Sequence, residues 1–275
     1  MSRERAIAVI DSGVGGLTVA REVMRQLPEE RIVYLGDNAR CPYGSKSPDE
    51  IRTYSFQMID FVMKTPLKAL VIACNTVTAV ALEDVREYLP LPVIGVIEPG
   101  ARAAVKATRS GHIGVIGTET TIRTRAYERA LLRVRPDLTV SGLACPAFVP
   151  LVENHMADTE EARRVVRETL LPLAGEELDT LILGCTHYPL LAPVIQEVMG
   201  DRVTLISSAE ETARELAELL GPQPAAVPSG TRVAAPEHLF VTSGDPDRFR
   251  SIAEEWLGCR VQAEQHSLLE KTYQP

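Results

Sequence analysis

Short apolar runs alternate along this chain with longer stretches whose apolar side chains recur every three or four positions. In order they are Ala6-Ile7-Ala8-Val9-Ile10, the stretch Leu17–Leu27, Ile32-Val33-Tyr34-Leu35, the stretch Pro48–Met63, and Ala69-Leu70-Val71-Ile72-Ala73. The short runs are rich in branched side chains and nearly continuous, as strands covered on both faces are. The longer ones carry the spacing of amphipathic helices. Strand and helix in alternation predict an α/β fold with a mostly parallel sheet flanked by helices.

The pattern restarts after the polar stretch Thr108–Gly111. Strands are predicted at His112–Ile116, Leu138–Leu143, Thr180–Leu183 and Val203–Ile206, with helical spacing over Arg123–Leu132 and Thr159–Leu173. A helical segment, Glu210–Leu220, leads to a Pro/Gly/Ala-rich connector, Gly221–Pro236. The tail, a strand at Leu239–Thr242 and a helix at Pro246–Leu257, is expected to pack back on one of the halves.

The two runs fall into register at nearly constant separation. Val9-Ile10-Asp11-Ser12 meets Val115-Ile116-Gly117-Thr118, and Cys41-Pro42 meets Cys145-Pro146. Leu70-Val71-Ile72-Ala73-Cys74 meets Leu181-Ile182-Leu183-Gly184-Cys185, and Val93–Ile97 meets Val203–Ser207. Alternating patterns produce similar turns by chance, but matched cysteines favour a duplicated unit.

At 275 residues and 45% apolar content the chain can bury a core and build two compact domains or one large one. A formal charge of −8 without any basic run lacks the footprint of a nucleic-acid binder and favours a small-molecule partner. No apolar stretch approaches the roughly 18 residues of a membrane helix, and the start lacks a signal-peptide pattern, so no membrane association and a cytoplasmic location are expected. Five cysteines without a C-x-x-C pair argue against a disulfide framework and a zinc site. Reduced thiols are expected.

Two of those cysteines carry the chemistry. Cys74 ends a buried run and precedes Asn75-Thr76 and a helical stretch, Val77–Leu89; Cys185 ends its counterpart and precedes Thr186-His187-Tyr188-Pro189 and a helix over Leu190–Val198. Turns at the carboxyl ends of parallel strands line the ligand crevice, and a helix starting there aims unsatisfied N–H groups at it. A thiol in that place is expected to be pushed toward thiolate. One such cysteine reads as packing; two in matched positions suit a reaction that needs an acid on one face of a carbon and a base on the other.

Asp11 ends the first strand, Glu153 follows the Cys145-Pro146 segment, and His187 lies two residues past Cys185, so each thiol has an ionisable candidate nearby. Singly, Asp11 also reads as a helix cap, Glu153 as a surface carboxylate and His187 as a first-turn hydrogen-bonding residue. Asp11-Ser12-Gly13-Val14-Gly15-Gly16-Leu17-Thr18 imitates a dinucleotide fingerprint, but Thr18 stands where the third glycine belongs, and no lysine follows as in a P-loop. These glycines are expected to bring backbone N–H groups to a small anion such as a carboxylate. Ser12, Asn75, Thr76 and Thr186 would add neutral hydrogen bonds, and Tyr43-Gly44 would close over the ligand.

Asp11-Ser12-Gly13, Cys41-Pro42-Tyr43-Gly44, Ala73-Cys74-Asn75-Thr76, Val149-Pro150-Leu151-Val152-Glu153 and Gly184-Cys185-Thr186-His187-Tyr188-Pro189 together resemble the glutamate racemases. The resemblance implies two pseudo-symmetric α/β domains with the active site in the cleft between them. It places the first domain at residues 1–98, completed by 209–275, and the second at 99–208. It also implies no pyridoxal phosphate, no metal and no other cofactor, glutamate as substrate, and D-glutamate for bacterial peptidoglycan as the product's use. Cys74 and Cys185 match the catalytic thiols, with Cys185 serving the L-form, and Asp11, Glu153 and His187 match the assisting residues. Asp11-Ser12, Tyr43-Gly44, Asn75-Thr76 and Thr186-His187 match the substrate-holding segments. A homodimer is expected.

Three other readings differ in what they require. An aspartate racemase would share the fold and both thiols. A thiol hydrolase with Cys185 as nucleophile and His187 as base leaves Cys74 without a role. A binding protein would show affinity without turnover.

Overall fold

The computed structural model describes residues 5–221 and 236–268; residues 222–235, and with them nearly all of the expected connector, lie outside the described residues, as do 1–4 and 269–275. The strands are β1 (Ala6–Asp11), β2 (Ile32–Gly36), β3 (Leu67–Ile72), β4 (Val93–Gly95), β5 (His112–Gly117), β6 (Thr139–Ala144), β7 (Thr180–Gly184), β8 (Thr204–Ile206), β9 (Leu239–Thr242) and β10 (Ala263–Gln265). The helices are α1 (Leu17–Gln26), α2 (Pro48–Val62), α3 (Asn75–Tyr88), α4 (Ile97–Ala107), α5 (Glu119–Arg123) and α6 (Ala126–Val134). They continue with α7 (Phe148–Glu153), α8 (Glu160–Ala174), α9 (Ala192–Met199), α10 (Ser208–Leu220) and α11 (Pro246–Leu257).

Two parallel sheets form. One runs β10-β9-β2-β1-β3-β4, the other β6-β5-β7-β8, and every pairing in both is parallel. Matching β1 to β5, β2 to β6, β3 to β7 and β4 to β8 reproduces one strand order in both sheets, the outcome a duplicated unit requires. The tail adds β9 and β10 beyond β2 on the first sheet.

Each sheet separates two apolar layers, and the period of two along the strands assigns the side chains. In β1, Ala6, Ala8 and Ile10 face one layer with Leu70 and Ile72, while Ile7 and Val9 face the other with Val71 and Phe249. In the second sheet, Leu181 and Leu183 face one layer and Ile182 the other. Burying such a side chain contributes about 1.5–3 kcal/mol, so truncating Leu70 or Leu181 to alanine costs about 2–5 kcal/mol.

Local signals set the helix starts. Ser47 and Glu50 form a reciprocal capping box ahead of Pro48 in α2, Thr159 caps α8, and Asp245 accepts from two amides at the start of α11. The helix expected over Arg123–Leu132 is two helices, α5 and α6, broken where Arg125 takes a left-handed conformation, φ 53°. The first of them begins at Glu119, where the Thr118 side chain accepts from the Thr121 amide.

Candidate active site

The first sheet puts Asp11 at the end of β1 and Cys74 just past β3; the second puts Gly117 at the end of β5 and Cys185 just past β7. In each sheet the connections leave these two central neighbours in opposite directions, the topological switch point where α/β sheets hold ligands. The two switch points face one another. Both thiols line one small cavity with Ser12, Cys41, Pro42, Tyr43, Gly44, Asn75, Thr76, Thr118, Val149, Thr186 and His187. Its volume is about 20 Å³, room for about one water molecule.

Polar contacts across this junction hold the halves together. The Thr76 hydroxyl lies 2.9 Å from that of Thr118, Tyr127 donates to Asn75 Oδ1 at 2.7 Å, and the Thr120 hydroxyl donates to the Gly44 carbonyl at 2.9 Å. Gly15 is required by close approach: a Cβ there would lie 2.3 Å from the Thr186 hydroxyl and 2.6 Å from the His187 ring. The glycine turn thus admits the opposite half. The anion it binds is internal, for Gly13 N–H donates to the Asp11 carboxylate at 3.0 Å.

The two thiols have different surroundings. Cys74 is the residue that precedes α3, and it donates to the Ser12 hydroxyl at 3.4 Å. Burial pushes its thiol up to about 12, with Asp11 adding to the rise and the Ser12 hydroxyl and the Val77 amide only partly offsetting it. The expected helix-start activation is therefore reversed at Cys74, because loss of hydration outweighs the amide. Cys185 leads into a 3-10 turn, Tyr188–Leu191, and α9 begins only at Ala192. Its Sγ lies 3.8 Å from His187 Nδ1, and His187 Nε2 lies 2.7 Å from Glu153 Oε1.

Burial works against a charge on His187, but the hydrogen bonds with Cys185 and Glu153 outweigh it and carry the imidazole up to about 10. Burial likewise opposes the Glu153 charge, and the bond with His187 overrides it, holding that carboxyl below its usual range. The Asp11 carboxyl, fully buried, is raised to about 6 by burial against the pull of His187. Thr186 donates to it at 3.4 Å across the junction.

The sequence-derived candidates Ser12, Tyr43, Gly44, Cys74, Asn75, Thr76, Cys185, Thr186 and His187 all line the cavity, with Asp11 and Glu153 bonded to that lining. Tyr43 has a second task, because its hydroxyl donates to the buried Asp37 carboxylate, which also takes bonds from Arg40 and Ser243. Asn75 Nδ2 is buried and has no hydrogen-bond partner. Thr118 and Val149 join the lining, and Tyr127 braces Asn75 behind it, none of them a candidate from the sequence, and Cys41 stands among them without a role in the sequence pattern. Thr118 was within reach, since it is the register partner of Ser12. Tyr127 left no signal beyond helical spacing.

The chain matches the Asp/Glu/hydantoin racemase family over residues 7–216. A glutamate racemase from Bacillus cereus is 52% identical over 271 residues, which is 98% of this chain and 100% of that protein. The solved glutamate racemase isoform RacE1 of Bacillus anthracis superposes with a TM-score of 0.92 at 49% identity, covering 98% of this chain and 100% of that one. The Francisella tularensis glutamate racemase, solved in complex with D-glutamate, superposes with a TM-score of 0.87 at 33% identity, covering 98% and 100%.

Proposed function

The chain belongs to the Asp/Glu/hydantoin racemase family, hence to the isomerases, and we propose that its reaction is the interconversion of L- and D-glutamate. The observation that carries this reading is the placement of two thiols, from matched strand ends of two sheets, on one small cavity. One thiolate removes the α-proton and the other thiol supplies a proton to the opposite face. We assign Cys185 to the L-form and Cys74 to the D-form.

The cavity lining suits an amino acid with two carboxylates. Asn75 Nδ2 is an unmatched buried donor, a group that costs about 1–3 kcal/mol until something accepts from it. Hydroxyls of Ser12, Thr76, Thr118 and Thr186 line the same space, and the lining carries no lysine or arginine. Fixed neutral donors of this kind stabilise the charge that moves onto the α-carboxylate as the proton leaves. His187, backed by Glu153, exchanges protons with Cys185; Asp11 acts on the Cys74 side. Both proton carriers are side chains, so the reading calls for no cofactor. Glutamate does not fit 20 Å³, so entry requires Gly44 to part from Thr120 and Thr76 from Thr118.

The same reading takes residues 1–98 with 209–275, and 99–208, as the two domains that separate. It places the enzyme in the cytoplasm, supported by five cysteines that are all unpaired; among the described residues no helix is long and apolar enough to cross a membrane. It takes the product to peptidoglycan synthesis and the assembly to a homodimer, which light scattering of the purified protein tests.

The direct test is L-glutamate in D2O with chelator present, followed by optical rotation and the α-proton NMR signal. Rotation decaying to zero as deuterium enters supports the proposal. Turnover of L-aspartate alone would move the substrate to the aspartate type, and binding without exchange of either amino acid would sink the enzymatic reading.

A further inference from the structure

Cys41 takes no part in the proton transfers above, yet it lines the same cavity as the two thiols and lies against their acid–base pair. Its Sγ is 3.9 Å from Glu153 Oε1, which is 2.7 Å from His187 Nε2, and the three ligand atoms lie within 4.8 Å of one another. Tetrahedral coordination at zinc–ligand distances of about 2.0–2.3 Å places ligand atoms about 3.3–3.6 Å apart. Small side-chain shifts therefore convert the cluster into three corners of a tetrahedron. Arg248 acts on Glu153 through its charge, while its hydrogen bond goes to the Glu153 backbone carbonyl at 2.6 Å and not to the carboxylate.

We propose that Cys41, Glu153 and His187 form an inhibitory site for a thiophilic divalent cation of the zinc type. Thiolate, imidazole and carboxylate are the donor set such ions select over magnesium or calcium. Binding releases the proton shared by His187 and Glu153 and the Cys41 thiol proton to solvent, and a metal ion takes their place. With the metal on Nε2, His187 keeps its Nδ1–H toward Cys185 but as a neutral imidazole, a weaker acid than the imidazolium it replaces, and Glu153 no longer backs it, so return of a proton to Cys185 slows. A water in the cavity, which has room for about one, completes the coordination.

The test uses the reduced full-length protein and Zn2+ itself, with binding measured by competition against a chromophoric chelator. The expected result is one ion per chain, an affinity about a hundredfold weaker in Cys41→Ser, and no change in Cys259→Ser, whose thiol is exposed. Co2+ is expected to give a thiolate charge-transfer band that Cys41→Ser abolishes. Equal affinity in wild type and Cys41→Ser, or no binding by wild type, would overturn the proposal. If Cys41→Ser does not fold, the anomalous peak in zinc-soaked wild-type crystals decides: a peak between the three side chains supports the site, and a peak at Cys74 and Cys185 or none refutes it. These readouts stand whether or not glutamate is the substrate.

Discussion

The turns that carry Cys74 and Cys185 descend from matched strand ends, and they solve the same problem differently. Cys74 borders a true α-helix start and a fully buried carboxylate, Asp11, and its thiol is driven up by burial. Cys185 borders a 3-10 turn and an imidazole that the bonds with Cys185 and Glu153 carry up to about 10 against burial. The two sheets share one strand order, while the side chains around each thiol differ. A helix amide close to a thiol does not by itself make a thiolate when the same fold removes the water.

The sharpest break in this comparison is to remove either thiol. Cys74→Ala and Cys185→Ala are each expected to lower kcat/KM by about a thousandfold or more. The equilibrium constant between enantiomers is one, so kcat/KM falls equally in both directions, and the two sides are separated only by exchange of the α-proton. Cys74→Ala is expected to keep exchange with D2O on L-glutamate and lose it on D-glutamate, with the reverse for Cys185→Ala. Wild-type exchange of L-glutamate by Cys185→Ala would invert the assignment.

Next in size is Glu153→Gln, expected to slow turnover by about ten- to a hundredfold. Glu153 helps to hold His187 up at about 10, so without the carboxylate the alkaline limb of the rate profile is expected to move to lower pH. The primary isotope effect on α-deuterated L-glutamate is expected to rise more than that on the D-form. A wild-type alkaline limb in this variant would detach His187 from the reaction.

Asp11→Asn probes the other side, with an expected loss of about tenfold in turnover and a gain in stability. The folded protein keeps the Asp11 proton up to about pH 6, whereas a free carboxyl releases it near 3.8. The folded state thus binds more protons between those values, and stability falls as pH rises through that window. Above it the full penalty applies, about 3 kcal/mol for a difference of about two pKa units. The variant is therefore expected to melt higher than wild type at pH 7 and alike below pH 4; an unchanged melting temperature at pH 7 would refute the cost assigned to this carboxylate.

The smallest effect is expected from Thr76→Val, which removes the hydroxyl that faces Thr118 across the junction. One lost hydrogen bond of about 1 kcal/mol corresponds to about a fivefold change, expected in KM with kcat nearly kept. A fall in kcat alone would place Thr76 in the chemical step.

Much of this architecture was readable before folding. Parallel strands buried on both faces must be continuous apolar runs, so β1, β3, β5 and β7 announce themselves, and their ends locate Asp11, Cys74 and Cys185. The break at Arg125 and the short helix α7 that carries Glu153 were not readable, because five- and six-residue helices carry too little periodicity to register. Tyr127 escaped for a related reason: an apolar helix position looks the same whether its hydroxyl is spent on Asn75 or on solvent.

Local periodicity and register, both properties of the sequence, set the repeated α/β pattern, the two matched thiols and their polar neighbours. Tertiary structure alone decided that the two sheets face each other with Gly15 against Thr186 and His187. It also decided that His187 reaches Glu153, that Cys41 joins them, and that Asp11 and Cys74 lose their water. Hydration and distance are properties of the packed chain: a residue's charge state is set by what surrounds it in space, and neighbours along the sequence are a small part of those surroundings.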